Sequence, residues 1–208
     1  MRRSPFVLAL LLAAASAYAS PVNMTFINFQ SGGWQVGYPY YATVNGTPTD
    51  VMCDDWAHGG GPGDFWQANL TNLGTGNISL LRFNQLNNAL TLYKEAGWLL
   101  LETQVTPQRQ WMEMNFAVWH IFDSSTPLNG SVQYWLIAAQ LEAQNGFPGV
   151  DFSTVGIYTP LNQYDPNLAD PQEFMTIVRK QRTVVPEPGT LLLIGSGLVG
   201  LIARKRLS

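Results

Sequence analysis

The chain has 208 residues, of which 12% are charged and 46% hydrophobic, and its formal net charge at pH 7 is −3. Thirteen acidic and six basic residues lie between positions 20 and 183, a net charge of about −7 (six minus thirteen), which argues against binding to nucleic-acid phosphates. Its length suits a single domain with its own core. Cys53 is the only cysteine, which excludes an internal disulfide.

Residues 1–19 have the pattern of a secretory signal peptide. Arg2-Arg3 precede an uncharged apolar run over residues 5–15, and Ala17-Tyr18-Ala19 supplies the small residues of a cleavage site. A buried N-terminal helix is the alternative, but two arginines ahead of an apolar block have no packing purpose. We therefore predict cleavage after residue 19 and an exported globular domain over residues 20–183.

Four β-strands are predicted first, over residues 22–29, 35–44, 50–54 and 65–70. These segments are rich in aromatic and β-branched residues. Asn45-Gly46, between the second and third segments, is typical of a two-residue hairpin turn. The glycine-rich run over residues 59–63 predicts an open loop before the fourth strand.

Three helices are predicted next, over residues 84–102, 108–122 and 131–143. Apolar residues recur there at three- and four-residue steps, and Ser131 is the expected cap of the third helix. Two more strands are predicted over residues 152–158 and 173–179. Strands on both sides of a block of helices indicate an α+β fold, in which an antiparallel sheet or barrel carries a helical insertion.

Three features follow one another at the C-terminal end. Pro186-Glu187-Pro188 precedes an uncharged run over residues 190–203, which Arg204-Lys205-Arg206 follows. As a helix the run spans about 21 Å at ~1.5 Å per residue, less than the ~30 Å hydrocarbon core of a bilayer. Basic residues hold the cytoplasmic end of such a segment and extend its reach by snorkelling. We therefore expect a short transmembrane helix over residues 190–203.

This order of features resembles the PEP-CTERM sorting signal. The resemblance implies that residues 184–208 hold the protein in the inner membrane during export, and that an exosortase then cuts near Pro186, Glu187 and Pro188. Arg204, Lys205 and Arg206 are the residues that retain the tail. The resemblance also implies a Gram-negative source with an exopolysaccharide matrix, and a final location at the cell surface or outside the cell.

The domain resembles, more loosely, the bacterial thioester domains of surface adhesins. In that family a cysteine on an early strand is joined to a glutamine in a Thr-Gln-x-Ala-Ile-Trp segment of a later helix. Here Cys53 follows the Gly37-Tyr38 strand, and residues 114–119 (MNFAVW) resemble the helical segment. Asn115 stands in place of the glutamine and is shorter by a methylene group. The resemblance implies a thioester-domain-like scaffold, with Cys53 and Asn115 as the pair for a crosslink.

The densest polar cluster is Cys53, Asp54, Asp55 and His58. Two adjacent carboxylates disfavour a thiolate, which argues against Cys53 as the nucleophile of a hydrolase, and the spacing matches no calcium loop. A metal-assisted hydrolase using the two aspartates and the histidine is the enzyme alternative. We favour a buried cysteine followed by surface aspartates that end the strand. We therefore predict no catalytic residue, no metal site and no cofactor.

Trp56 and Trp66 flank the glycine-rich run, and with His58 they are the candidates for an exposed ligand site. Trp98, Trp119 and Trp135 lie on helix faces that are expected to pack inward. Aromatic faces pair with the apolar faces of sugars. We predict a non-catalytic surface or matrix protein that is structural or binds a glycan or another surface. A covalent adhesin acting through Cys53 is the alternative.

Overall fold

The computed structural model describes residues 20–32, 35–161 and 170–178. The predicted signal peptide, the sorting motif and the expected membrane helix over residues 190–203 lie outside these ranges. Within them, no helix combines the length and the apolar character needed to cross a membrane. The strands are β1 (Val22–Gly32), β2 (Gln35–Val44), β3 (Thr47–Cys53), β4 (Phe65–Asn72), β5 (Val155–Pro160) and β6 (Phe174–Ile177). The helices are α1 (Ala89–Glu102), α2 (Trp111–Phe122) and α3 (Gly130–Gln144).

The six strands form a closed antiparallel barrel in the order β1-β2-β3-β6-β5-β4. β1 and β4 close it, with Met24 opposite Trp66 in the register of this pair. The three helices form the connection from β4 to β5. The predicted antiparallel architecture with a helical insertion is therefore confirmed, and of the two predicted alternatives, sheet or barrel, the structure has the barrel.

The predicted hairpin turn at Asn45-Gly46 joins β2 to β3. Both residues have positive φ angles, 50° and 80°, as the type I′ turn requires. Val44 and Thr47 pair directly on either side of the turn. The turn therefore fixes the register that places Cys53 at the far end of β3.

Helices cover one side of the barrel, so the core has two layers there. α2 packs against β2 and β3, and α1 packs against β6. Val51, Met52 and Cys53 are consecutive and all buried, because one face of β3 points into the barrel and the other points towards the helices. Inside the barrel, Phe174 forms ring contacts with Phe26, Tyr40 and Trp66, with centroid distances between 5.7 and 6.4 Å.

The first helix begins later than predicted. Residues 81–89 form successive turns with hydrogen bonds between residues three apart, such as Leu86 N to Phe83 O at 3.1 Å. Asn88 then adopts a left-handed conformation with φ 58°, so α1 starts at Ala89 rather than at residue 84. The apolar spacing of this segment reflects packing of turns against the core, which periodicity alone does not distinguish from a helix.

The predicted cap of the third helix was wrong by two positions. Asn129, not Ser131, is the N-cap, and its Oδ1 accepts hydrogen bonds from the backbone N–H groups of Ser131 and Val132, both at 3.0 Å. Asparagine and serine are equally good caps, so residue type alone does not select between positions 129 and 131. β5 is also shifted, because residues 152–154 form a short 3₁₀ turn before the strand begins at Val155.

Candidate ligand-binding site

The loop between β3 and β4, residues 54–64, carries most of the candidate residues and is called the glycine loop below. It is attached to the barrel on two sides. Gly63 N donates to Phe26 O of β1 at 2.8 Å, and Phe26 N donates to Asp64 O at 2.9 Å. Next to β6, Gln172 Nε2 donates to Asp55 O at 3.1 Å and to His58 O at 2.6 Å. The loop therefore has a defined shape despite its glycines.

Asp55 is the centre of a partly buried ionic network that holds the glycine loop in place. Its carboxylate lies 2.7 Å from His58 Nδ1 and 2.7 Å from an Arg82 guanidinium nitrogen, and it is fully buried. Arg82 also donates to Pro171 O at 2.7 Å. Asp170 completes the network, with its carboxylate 3.3 Å from His58 Nε2. The expectation that Asp55 lies on the surface was therefore wrong, because Arg82 neutralises its charge in the interior.

His58 has carboxylates at both ring nitrogens. Asp55 faces Nδ1 and Asp170 faces Nε2, so the imidazole bridges the glycine loop to the segment that precedes β6. About a third of the side chain is exposed. The structure thus gives this candidate residue a positioning role in the loop.

Asp54 is also fully buried, contrary to the expectation of a surface residue. Its backbone N–H donates to Glu173 O at 3.4 Å, which extends the β3–β6 pairing by one position and brings the two carboxyl groups together. Burial raises the pKa of Asp54 well above its usual range, and the charges of Glu173 and Asp55 raise it further. With both carboxyls ionised, neither Asp54 oxygen has a hydrogen-bond donor among the described residues. A proton shared with Glu173 supplies one.

Glu173 was not singled out from the sequence, yet it organises this buried polar group. Its carboxylate accepts from Tyr93 OH at 2.6 Å, from Arg82 N at 3.0 Å and from the Thr159 hydroxyl. Burial raises its pKa, while the hydrogen bonds from Thr159 and Tyr93 act in the opposite direction. A glutamate directly before a short apolar strand (EFMTI) was the signal that sequence reasoning missed.

Cys53 and Asn115 lie next to each other, and the crosslink that the resemblance to thioester domains implies between them stays a prediction. Asn115, on α2, donates from Nδ2 to Cys53 O at 2.8 Å, and both residues are fully buried. The sulfur is close to the Asp55 backbone, at 3.4 Å from N and 3.3 Å from O. Burial raises the pKa of the Cys53 thiol well above its usual value, and the Asp54 charge raises it further. The thiol is therefore held in its neutral form.

The two tryptophans proposed as ligand contacts differ in exposure. Trp56 is 41% exposed, and its ring packs 4.8 Å from that of Trp119 and 6.0 Å from that of Phe116. Trp66 is only 8% exposed and stacks on Phe174 inside the barrel. The expectation that Trp66 is exposed was therefore wrong, because the alternation along β4 places residues 66 and 68 on the inner face.

Trp56 forms one wall of an open groove of about 390 Å³, called the aromatic groove below. Most of its lining is aromatic, from Phe26, Phe29, Tyr40, Trp56, Phe116 and Trp119. The other lining residues include the polar Gln172 and two glycines, Gly59 and Gly60, which expose their backbone. An apolar surface with a few polar groups at its edge is the usual composition of a small-molecule site, and the volume lies in the usual range.

On the other side of His58 lies a second depression of about 470 Å³, called the polar cleft below. Its lining includes His58, Asn69, Leu80, Arg82, Thr159 and Asp170. His58 and Arg82 in its wall both pair with Asp170. The cleft therefore offers hydrogen-bonding groups, but no unpaired positive or negative charge among these residues. Within residues 20–32, 35–161 and 170–178, no group of three or more His, Cys, Asp or Glu residues has the arrangement of a metal site.

Comparison with solved structures found the N-terminal thioester domain of a surface protein from Clostridium perfringens. It is 12% identical in sequence, with a TM-score of 0.45, and the match covers 76% of this chain and 98% of that chain. The comparison with curated proteins returned no match. Residues 184–206 match the family model of the PEP-CTERM protein-sorting motif. The chain therefore carries a PEP-CTERM sorting motif, which indicates an exported protein that is processed by an exosortase.

Proposed function

We propose that this protein is a non-catalytic component of the cell surface or extracellular matrix that binds a glycan in the aromatic groove. The observation that carries the proposal is the exposed ring of Trp56, held against Trp119 and Phe116 at the open side of that groove. Sugar rings present apolar C–H faces and a hydroxyl periphery, which suit an aromatic wall with a polar rim. The sorting motif supports this proposal, because it indicates export of the protein, and outside the cell an exopolysaccharide matrix would be an abundant ligand.

Cys53 and His58, the nucleophile and base candidates nearest to the groove in sequence, also support binding without catalysis. The thiol of Cys53 lies fully buried, and burial raises its pKa, so it is a poor nucleophile. The imidazole of His58 is engaged by Asp55 and Asp170 rather than by a nucleophile. The ionic network thus positions the glycine loop that carries Trp56, which is the arrangement a rigid binding surface needs.

Trp56→Ala is the test of this function. We expect the variant to lose about 2 kcal/mol of binding free energy, or about thirtyfold in affinity, because a central aromatic contact dominates small interfaces. The measurement is isothermal titration of the purified chain with neutral cello- and chito-oligosaccharides and with the matrix polysaccharide of the producing cells.

Tyr134→Ala is the matched control, since Tyr134 is an exposed aromatic residue on α3 outside the groove. It should bind and unfold as the unmodified chain does. Trp56→Ala should remain folded at the titration temperature, although loss of the ring contacts with Trp119 and Phe116 lowers its unfolding temperature. Equal affinity of Trp56→Ala and the unmodified chain would contradict the proposal. So would the absence of binding to every glycan tested, which leaves only a structural role.

A second function, covalent attachment through Cys53, is favoured by the contact between Asn115 Nδ2 and Cys53 O at 2.8 Å. A thioester requires a new bond from Cys53 Sγ to Asn115 Cγ and loss of the Asn115 Cγ–Nδ2 bond. The thiol proton leaves with the amide nitrogen as ammonia. Later attack by a surface amine on the Asn115 carbonyl would release the thiol and form an amide. The complete burial of the thiol places this function second.

The intact mass of the purified chain decides between the two functions. Covalent attachment requires a mass lower by one ammonia than the mass of the mature sequence, and brief treatment with methylamine should abolish that deficit. In Cys53→Ala the deficit should be absent, and attachment to amine-bearing surfaces should be lost. A mass equal to that of the mature sequence rules out the crosslink and leaves the glycan-binding proposal unaffected.

A further inference from the structure

The aromatic groove and the polar cleft meet at one peptide bond. Gly59 lines the groove and His58 lines the cleft, and adjacent Cα atoms are only ~3.8 Å apart. The same division recurs near β6, where Gln172 lines the groove and Asp170 lines the cleft. The two depressions therefore lie on either side of a single ridge, formed by the glycine loop.

The glycines on this ridge are required neither by packing nor by backbone conformation. A Cβ built on Gly59 meets nothing within 4 Å, and one on Gly60 meets only the Asp64 carboxylate, at 3.3 Å. Neither residue has the positive φ angle that favours glycine, whereas Gly63 does, at 97°. Any side chain at Gly59 would project from the ridge into open space. The effect of glycine here is therefore to keep the ridge low between the two depressions.

The polar cleft has the chemistry of a site for hydroxyl groups. The side-chain amide of Asn69 lies half-buried in its wall and has no hydrogen-bond partner among the residues that the structure describes. Leu80, more than half exposed, adds a small apolar surface. Arg82 and His58 are matched by Asp55 and Asp170, so the wall carries no unbalanced cation for an acidic group.

From this arrangement we infer that the two depressions form one extended site for an internal stretch of a neutral polysaccharide chain. One sugar ring stacks on Trp56 in the aromatic groove. The chain crosses the ridge at Gly59, and the hydroxyls of following sugars bond to Asn69 in the polar cleft. The inference rests on the proposed glycan binding and adds its ligand class: a chain bound along its length rather than a single sugar or a chain end.

Chain length is the first test. Isothermal titration of the purified chain with the disaccharide, tetrasaccharide and hexasaccharide of the cello- and chito-series should show affinity rising about tenfold or more from the shortest to the longest ligand. Each added hydrogen bond in the cleft raises the affinity by about two- to tenfold. Equal affinity for the disaccharide and the hexasaccharide would overturn the inference.

Two variants separate the polar cleft from the aromatic groove. Asn69→Ala should lower hexasaccharide affinity by about three- to tenfold and leave disaccharide affinity unchanged. Gly59→Leu, which raises the ridge where there is open space, should weaken hexasaccharide binding at unchanged thermal stability. If both variants bind the hexasaccharide like the unmodified chain, the extended site is wrong. If Trp56→Ala also binds every ligand normally, the proposed function fails as well.

Discussion

Replacing Glu173 with leucine is expected to lower the free energy of unfolding by about 3–5 kcal/mol. Leucine has a similar volume but accepts no hydrogen bond. The Tyr93 hydroxyl, the Thr159 hydroxyl and the Arg82 backbone N–H would all lose their acceptor in the interior. Each unsatisfied buried donor costs about 1–3 kcal/mol, because it has lost water without gaining a partner. Urea denaturation of the purified variant measures the loss.

Glu173→Gln and Glu142→Leu serve as comparisons. Glutamine keeps one acceptor oxygen but turns an amide towards the donors, so its cost should lie between those of leucine and the unmodified chain. Glu142 lies partly exposed on α3, outside the buried group, and its replacement should change stability by less than about 0.5 kcal/mol. A loss below about 1 kcal/mol in Glu173→Leu would show that Glu173 does not organise the interior.

Asp54→Asn is expected to stabilise the protein at neutral pH by roughly 1–3 kcal/mol. Burial raises the pKa of both Asp54 and Glu173, so the folded state holds a proton, shared between the two carboxyl groups, that the unfolded state releases. The free energy of unfolding therefore falls as pH rises above the unfolded pKa values near ~4, by up to ~1.4 kcal/mol per pH unit for this proton. Asparagine removes one of these groups and still donates a hydrogen bond to Glu173.

The pH dependence tests the cause of this stabilisation. The pH-dependent part of the difference between Asp54→Asn and the unmodified chain should be absent well below pH ~4, where Asp54 is protonated in both the folded and the unfolded state, and should grow as the pH rises towards ~7. Denaturation at a series of pH values measures it. Asp50→Asn, which alters an exposed aspartate on the same strand, should follow the unmodified chain throughout. A variant that is less stable than the unmodified chain at neutral pH would mean that Asp54 is not held as an acid.

Local signals in the sequence were sufficient for most of the barrel. The turn at Asn45-Gly46 and the alternating strands on both sides of it depend on residues close in sequence, and the structure contains both. The sorting motif is likewise a linear pattern, and the family model matches it. Closure of the barrel depends on β1 meeting β4 at Met24 and Trp66, which no local pattern specifies. The sequence therefore left sheet and barrel as open alternatives.

The buried charges were mispredicted for a related reason. Asp54 and Asp55 end a strand and precede a glycine-rich loop, which is the pattern of surface residues. Their partners Glu173 and Arg82 lie far away in sequence, and only the fold brings them together. Trp66 is different. It shares the inward face of β4 with Ala68, and the alternation of side chains along the strand could have predicted its burial despite its position close to the glycine loop. The contact of Cys53 with Asn115, by contrast, was anticipated through family resemblance.

Because β1 pairs with β4, the sheet of the described domain has no unpaired border strand. Proteins in a dense extracellular layer meet their own copies at high local concentration, and exposed strand borders then template intermolecular sheets. Each strand of this barrel has a neighbour on both sides, which leaves fewer backbone donors and acceptors for that process than an open sheet with two border strands. Copies of this domain can therefore come together at high concentration while each remains individually folded, and contacts between neighbours are left mainly to side chains.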